Sequence, residues 1–169
     1  MIRIRPAETT DLTSALSIIR QTQEIFKTQG IDQWQNGYPN LQTLQHDLAQ
    51  DWGRVLEEDG QTVAYFALSF DGEPNYRRIE NGSWLTPGPY SVLHRLAVRT
   101  DKRRAGYAKQ ICRYWEAQTA ERKFTALRAD THKNNRPMTA LLLSQGFSYR
   151  GVIYVSDGTP RNAFEKPLH

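Results

Sequence analysis

Ser91-Val92-Leu93-His94-Arg95-Leu96-Ala97-Val98, then Arg99 to Lys102, then Arg103-Arg104-Ala105-Gly106-Tyr107-Ala108, is the stretch on which the reading of this chain turns. The first eight residues form an apolar, strand-like run. The last six read Arg-x-x-Gly-x-Ala and open a segment of helical period. A tight, glycine-bearing turn from strand to helix points several backbone N–H groups the same way, at the positive end of a helix dipole. Such a turn suits a phosphate or pyrophosphate.

The elements on either side follow from periodicity and turn residues. Ile2 to Arg5 alternates as a strand. A helix follows from about Thr10, expected as its N-cap, with Leu12, Leu16, Ile19 and Ile25/Phe26 at helical spacing and Gly30 as its end. Asn36 to Asn40 is loop, and Leu41, Leu44 and Leu48 mark a short second helix. Gly53 to Glu57 and Gln61 to Phe70 form a hairpin about Glu58-Asp59-Gly60. Residues 71–89, with three glycines and three prolines, form a long excursion. Tyr90 to Val98 is a strand, Ala105 to about Glu121 a helix with Ala108, Ile111/Cys112 and Trp115 on its apolar face, and Phe124 to Ala129 a strand. Asn135 to Ser144 is a helix stopped by Gly146. Phe147 to Val155 and Asn162 to Lys166 close the chain as strands about a turn at Asp157 to Pro160. The order β-α-α-β-β-β-α-β-α-β-β predicts an α/β (α+β) fold. Its sheet is mixed, parallel in the middle and antiparallel at the ends, with helices on both faces. With no repeat and no low-complexity segment, residues 1–169 are expected to form one domain.

Composition narrows the class. The hydrophobic share is 38% and the charged share 24%, ordinary for a soluble globular protein. The single cysteine, Cys112, excludes an internal disulfide and suits a reducing compartment, so a cytoplasmic location is expected. No apolar run approaches the roughly 18–20 residues of a membrane helix, and the N-terminus reads as a strand rather than a signal segment. The net charge of +4 is mild, and much of the positive charge gathers at Arg99, Lys102, Arg103, Arg104 and Lys109. An anionic small molecule is therefore the expected partner. Nucleic acid and membrane are not expected, since no long basic run or interleaved aromatic platform occurs. No metal site is expected. The assembly is left open, a homodimer included.

Context makes the glycine motif specific. Leu96-Ala97-Val98, four residues, the Arg103–Ala108 motif and a helix resemble the acetyl-CoA signature of the GCN5-related N-acetyltransferases (GNAT). Asn135, with Gly146-Phe147 eleven residues on, resembles the family's second signature. The element order also resembles the family's fold, so the likeness covers essentially the whole chain. It implies an acetyl-CoA-dependent N-acetyltransferase that moves an acetyl group to a primary amine by direct attack in a ternary complex. The alternative is a non-catalytic acyl-CoA-binding module of the same fold.

The same resemblance assigns roles. Backbone groups of Leu96, Ala97 and Val98 would line the pantetheine arm. N–H groups of Arg104, Ala105, Gly106, Tyr107 and Ala108 would hold the pyrophosphate, with Arg103 at its side, and Asn135 would cap its helix and contact the coenzyme. Many members carry a general-acid tyrosine seven residues after that asparagine, where this chain has Leu142. Tyr107, Tyr149 and Tyr154 are the substitutes to be located. A thiolate leaving group with pKa near 8.5 makes the loss tolerable.

His94 is the candidate base: it lies on the strand beside the expected acyl end, and an ordinary imidazole pKa near 6.5 suits proton removal. Its string resembles the strand of arylalkylamine acetyltransferases. The competing reading is a structural histidine. The Leu96 N–H is the expected oxyanion donor. Asp130 is a helper or a plain cap, Glu80 falls in the excursion, and Cys112 reads as core. Trp34, Tyr38 and Trp84 stand in loop-like context and are the candidate acceptor-binding aromatics, or lids on the core.

Overall fold

The computed structural model describes residues 1–169. In chain order the elements are β1 (Ile2–Pro6), α1 (Leu12–Thr28), α2 (Leu41–Ala49), β2 (Gly53–Glu58), β3 (Gln61–Ser69), β4 (Tyr90–Val98), α3 (Tyr107–Glu121), β5 (Ala126–Thr131), α4 (Arg136–Ser144), β6 (Ser148–Tyr154) and β7 (Pro160–Pro167). This is the order the sequence predicts. The seven strands run β1-β2-β3-β4-β5-β7-β6 in one sheet. β1–β2, β2–β3, β5–β7 and β6–β7 pair antiparallel. β4 and β5 pair parallel, over Tyr90–Val92 against Ala126–Arg128. The long α3 supplies the crossover that a parallel pair requires.

Several boundaries shift by one to two residues, among them the starts of α3, β5 and β7, and the start of α1 has an identifiable cause. Thr10 lies inside a 3-10 turn, Thr9–Asp11, and α1 starts at Leu12. Asp11 organises this start. Its carboxylate accepts the Glu8 N–H at 2.7 Å and both terminal nitrogens of Arg5, at 2.8 and 2.9 Å. Arg5 holds the Asp11 carboxyl below the usual carboxylate range. A charged, bidentate partner on β1 thus outcompetes a threonine cap.

Two compact units make up the chain, residues 1–68 with 94–111, and residues 69–93 with 112–169. In the first, Ala15, Ile18 and Ile19 of α1 pack with Leu44 of α2, Val55 of β2, Tyr65 of β3 and Ala97 of β4. The buried stripe of α1 falls at 15, 18, 19, 22 and 26, with Leu12 and Leu16 at its margin.

The second unit has its own apolar cluster of Tyr76, Val92, Ile153 and Ala163. The excursion between β3 and β4 is tied down here. Glu165 of β7, fully buried, accepts from the Leu85 N–H, from Thr86 Oγ1 at 2.8 Å and from Arg128 Nε at 2.9 Å. Arg128 also donates to the Thr86 carbonyl at 2.6 Å, and its guanidinium lies 4.2 Å from the Trp84 ring centre and 4.0 Å from that of Tyr90. Every face of this buried pair is occupied, which is the condition under which burying two charges is tolerated.

Glu165→Ala would leave Arg128 buried without its counter-charge. It should cost about 3–5 kcal/mol, read as a lowered midpoint in urea denaturation.

Candidate active site

The glycine turn lies wholly in the first unit. β4 ends at Val98, where the Arg99 N–H donates to the Val63 carbonyl at 2.8 Å. A short 3-10 turn at Thr100–Lys102 follows, then the loop, then α3 from Tyr107. Arg104 and Gly106 both take left-handed backbone conformations, φ 65° and 84°. Alternation of this kind turns successive N–H groups inward, as anion-binding backbone nests do. The first helical bond at this end runs from the Gln110 N–H to the Gly106 carbonyl, at 3.1 Å. The N–H groups just ahead of Gln110 are therefore not consumed by the helix. No atom lies within 4 Å of where a Gly106 Cβ would stand. Beyond its chain neighbours the turn is therefore unobstructed on that side, so nothing there blocks a close approach to its backbone.

The charges around the turn sort into two groups. Arg99 is bidentate to Asp101, at 3.0 and 2.6 Å, and Lys102 meets Glu58 at 3.0 Å. Glu58 also accepts the Tyr107 hydroxyl, and that bond raises the Tyr107 phenol above its ordinary pKa. The Tyr107 side chain is thereby buried and committed; its backbone, not its phenol, faces the turn's chemistry. Arg103 and Arg104 have exposed side chains. Partial desolvation, with no carboxylate beside it, lowers the Arg103 pKa. Positive charge available to an anion thus lies on the motif's two arginines and on exposed Lys109 at the start of α3.

β4 carries an unexpected feature. Arg95, in the middle of the strand, has φ 54°. A non-glycine residue in this region costs about 1–2 kcal/mol. Its side chain shows what holds it. Arg95 Nε donates to Asp47 Oδ2 at 2.9 Å, and Nη2 donates to Asp47 Oδ1. Asp47, on α2, is fully buried and also accepts the Tyr65 hydroxyl at 2.6 Å. Burial first, and then the Asp47 charge, push the Tyr65 phenol well above its ordinary pKa, so it remains a donor. Arg95 Nη1 donates to the Tyr38 hydroxyl at 3.0 Å.

The sequence carries a signal for this cluster. Asp47 stands three residues after Leu44 and one before Leu48, a charge on the apolar stripe of a short helix. Arg95 is a charge within an apolar strand.

Two compact units hold the remaining candidates. In the first, Ala97 is buried in the core, with Leu96 and Val98 half-buried beside it. Tyr38, 46% exposed, is held through its hydroxyl. Trp34 packs edge-on against Phe26, ring centres 5.6 Å apart, and borders the apolar cluster, so its ring serves as a lid on that core.

In the second unit, Trp84 donates from Nε1 to the Tyr76 carbonyl at 2.9 Å and lies under Arg128. Asn135 caps α4, accepting the Met138 N–H at 3.3 Å. Asp130 accepts the Tyr76 hydroxyl at 2.6 Å, and burial raises its pKa. Glu80 forms an ion pair with Arg78 and receives the Tyr154 hydroxyl. Tyr149 lies edge-on to Phe164, ring centres 6.0 Å apart. Cys112 is buried, and burial pushes its thiol up to about 12. Leu142 is fully buried.

His94 departs from the ordinary imidazole expected of it. Burial, aided by the neighbouring Arg95 charge, pushes its pKa down to about 3. It is neutral throughout the physiological range, and the premise of a base titrating near 6.5 does not hold for it.

The comparisons with known proteins fall in with this geometry. The model of the GNAT acetyltransferase family matches residues 19–147. The chain belongs to that family and is an N-acetyltransferase by class; members generally use acetyl-CoA as donor. Among solved structures it is similar to a GNAT-family acetyltransferase of Streptococcus agalactiae, with 28% identity, a TM-score of 0.88, and coverage of 99% of this chain and 96% of that one. It also shares its fold with the ribosomal-protein-alanine N-acetyltransferase of Brucella melitensis, at 23% identity and a TM-score of 0.70, covering 98% and 99% of the two chains. The ribosomal-protein-S18-alanine N-acetyltransferase of Escherichia coli is a further fold match, at 18% identity and a TM-score of 0.68, covering 99% and 94%. No curated protein matches the sequence.

Two outcomes test this description. Native His94 stays neutral while an unfolded histidine gains a proton below about 6.5. The unfolded state therefore binds more protons, and stability falls as pH drops from about 6.5 towards 3. His94→Gln should flatten that fall between pH 6.5 and about 4.5, above the range of most carboxylates, as read by melting temperature against pH. Leu142→Tyr should overpack a full core and destabilise by about 1–3 kcal/mol in denaturant titration, with no gain in activity.

Proposed function

We propose that the protein catalyses transfer of an acetyl group from acetyl-CoA to a primary amine by direct attack of the amine on the thioester. The observation that carries this reading is the turn at Arg103–Ala108, with left-handed Arg104 and Gly106 ahead of α3 and open space before it. In this proposal the N–H groups of Arg104 through Ala108 bind the pyrophosphate and Arg103 flanks it. The backbone of Leu96, Ala97 and Val98 runs beside the pantetheine arm, and the Leu96 N–H donates to the developing oxyanion.

In this proposal His94 does not act as the general base for the incoming ammonium. Taking a proton from an alkylammonium of pKa about 10.4 with an imidazole at about 3 would cost roughly 10 kcal/mol. The amine therefore enters neutral or loses its proton to water. Once nitrogen has bonded to the acyl carbon its proton is more acidic, and it passes to solvent or to the departing thiolate, whose ordinary pKa near 8.5 makes it a far better acceptor than His94. No tyrosine acid is assigned: with Leu142 in the core, the thiolate departs unassisted or takes its proton from solvent. Of the candidate acceptor aromatics, Tyr38 combines an exposed ring with a fixed hydroxyl and is the one we propose to meet the amine substrate.

Gly106→Val tests the coenzyme assignment. It sets a β-branched side chain at φ 84° and in the open space before the turn. Titration calorimetry with acetyl-CoA should show affinity lowered at least tenfold, with an unchanged far-UV circular dichroism spectrum. Wild-type affinity in that variant would remove the turn from the binding site.

A further inference from the structure

We infer that Asp47 and Arg95 are positioning residues whose task is to hold the β4 backbone left-handed at Arg95 and so to aim the Leu96 N–H. The inference rests on the acetyl-transfer reading for its catalytic consequence, but its structural half stands alone.

φ 54° at Arg95 interrupts a strand that runs from Tyr90 to Val98. Single left-handed residues in strands rotate the next peptide group and re-aim its hydrogen-bonding direction, the effect that bulges produce beside active sites. The peptide group rotated here carries the Leu96 N–H.

Arginine has no intrinsic preference for this conformation, so something must hold it. The holder is over-determined. Asp47 grips the guanidinium by two bonds from α2, Tyr65 of β3 fixes Asp47 Oδ2, and Tyr38 takes the third guanidinium nitrogen. Asp47 is fully buried and the Arg95 side chain is 10% exposed, so water competes little for the bonds between them. A largely buried bidentate charge pair fixes direction as well as distance.

The alternative, that Arg95 is a plain structural ion pair, makes a different prediction about glycine. Glycine adopts positive φ at no steric cost, whereas alanine does not. Arg95→Gly and Arg95→Ala delete the same contacts and differ only in what the backbone prefers.

Both changes are made together with Asp47→Asn, so that neither leaves a buried carboxylate unpaired. Three quantities are measured on the full chain: acetyl-CoA affinity by calorimetry, kcat for the best amine substrate, and the ¹H–¹⁵N shift of the Leu96 amide in the free protein. Acetyl-CoA affinity should stay within about twofold of wild type in both variants. The Asp47→Asn/Arg95→Ala protein should lose kcat about tenfold or more and shift the Leu96 amide. Asp47→Asn/Arg95→Gly should recover most of the kcat and the wild-type amide position. Equal behaviour of the glycine and alanine proteins would overturn the proposal, as would a Leu96 amide unmoved by alanine. If the wild type turns over no amine, the acetyl-transfer reading fails, and the amide shifts alone decide whether the clamp sets the backbone.

Discussion

A buried carboxylate gripping a strained arginine is the constraint on which the first unit depends. Asp47 reaches from α2 to β4 and fixes Arg95 in a backbone conformation that the residue would not choose. Hydrophobic packing is non-directional and would not select that conformation. A largely buried bidentate ion pair does, because its geometry is narrow. Three residues further on, Val98 ends the strand, and the phosphate-type turn follows within the same unit. The kink and the turn are thus neighbouring segments of one strand and loop.

The second unit uses the same device for another purpose. Arg128 and Glu165 are buried together, and their spare bonds fasten Leu85 and Thr86. The glycine- and proline-rich excursion is docked by Tyr76 in the apolar cluster, and polar anchors in β5 and β7 fasten Leu85 and Thr86 beyond it. Trp84 and Tyr90 complete the arrangement by packing on the guanidinium.

Much of the fold was legible because the local signals agreed. Period-two runs, helical stripes, and glycines at 30, 60 and 146 each marked an element or its end, and the element order followed. The Arg-x-x-Gly-x-Ala turn was legible for the same reason, since its spacing and context are local. What escaped was non-local. Thr10 looked like a cap, but Asp11 had a better partner in Arg5, six residues back. His94 looked ordinary, but burial and Arg95 change its chemistry. Trp84 looked available until Arg128, 44 residues later, was placed against it. Asp47 and Arg95 showed only as charges in apolar surroundings. Such charges signal a buried partner without saying which one.

The chemistry assigned to the site follows from these placements. In the proposed chemistry an open turn with two left-handed residues binds the anion, a re-aimed amide meets the oxyanion, and the proton released on bond formation goes to solvent or to the departing thiolate rather than to His94. The most direct measurement is thiol release from acetyl-CoA, followed continuously while peptides, polyamines, arylalkylamines and aminoglycosides are offered in turn. The account predicts release that depends on at least one amine, with kcat/KM rising as pH approaches the amine's own pKa and no inflection near 6.5. Tight acetyl-CoA binding with no amine-dependent release across the panel would contradict it and would mark the chain as an acyl-CoA-binding module.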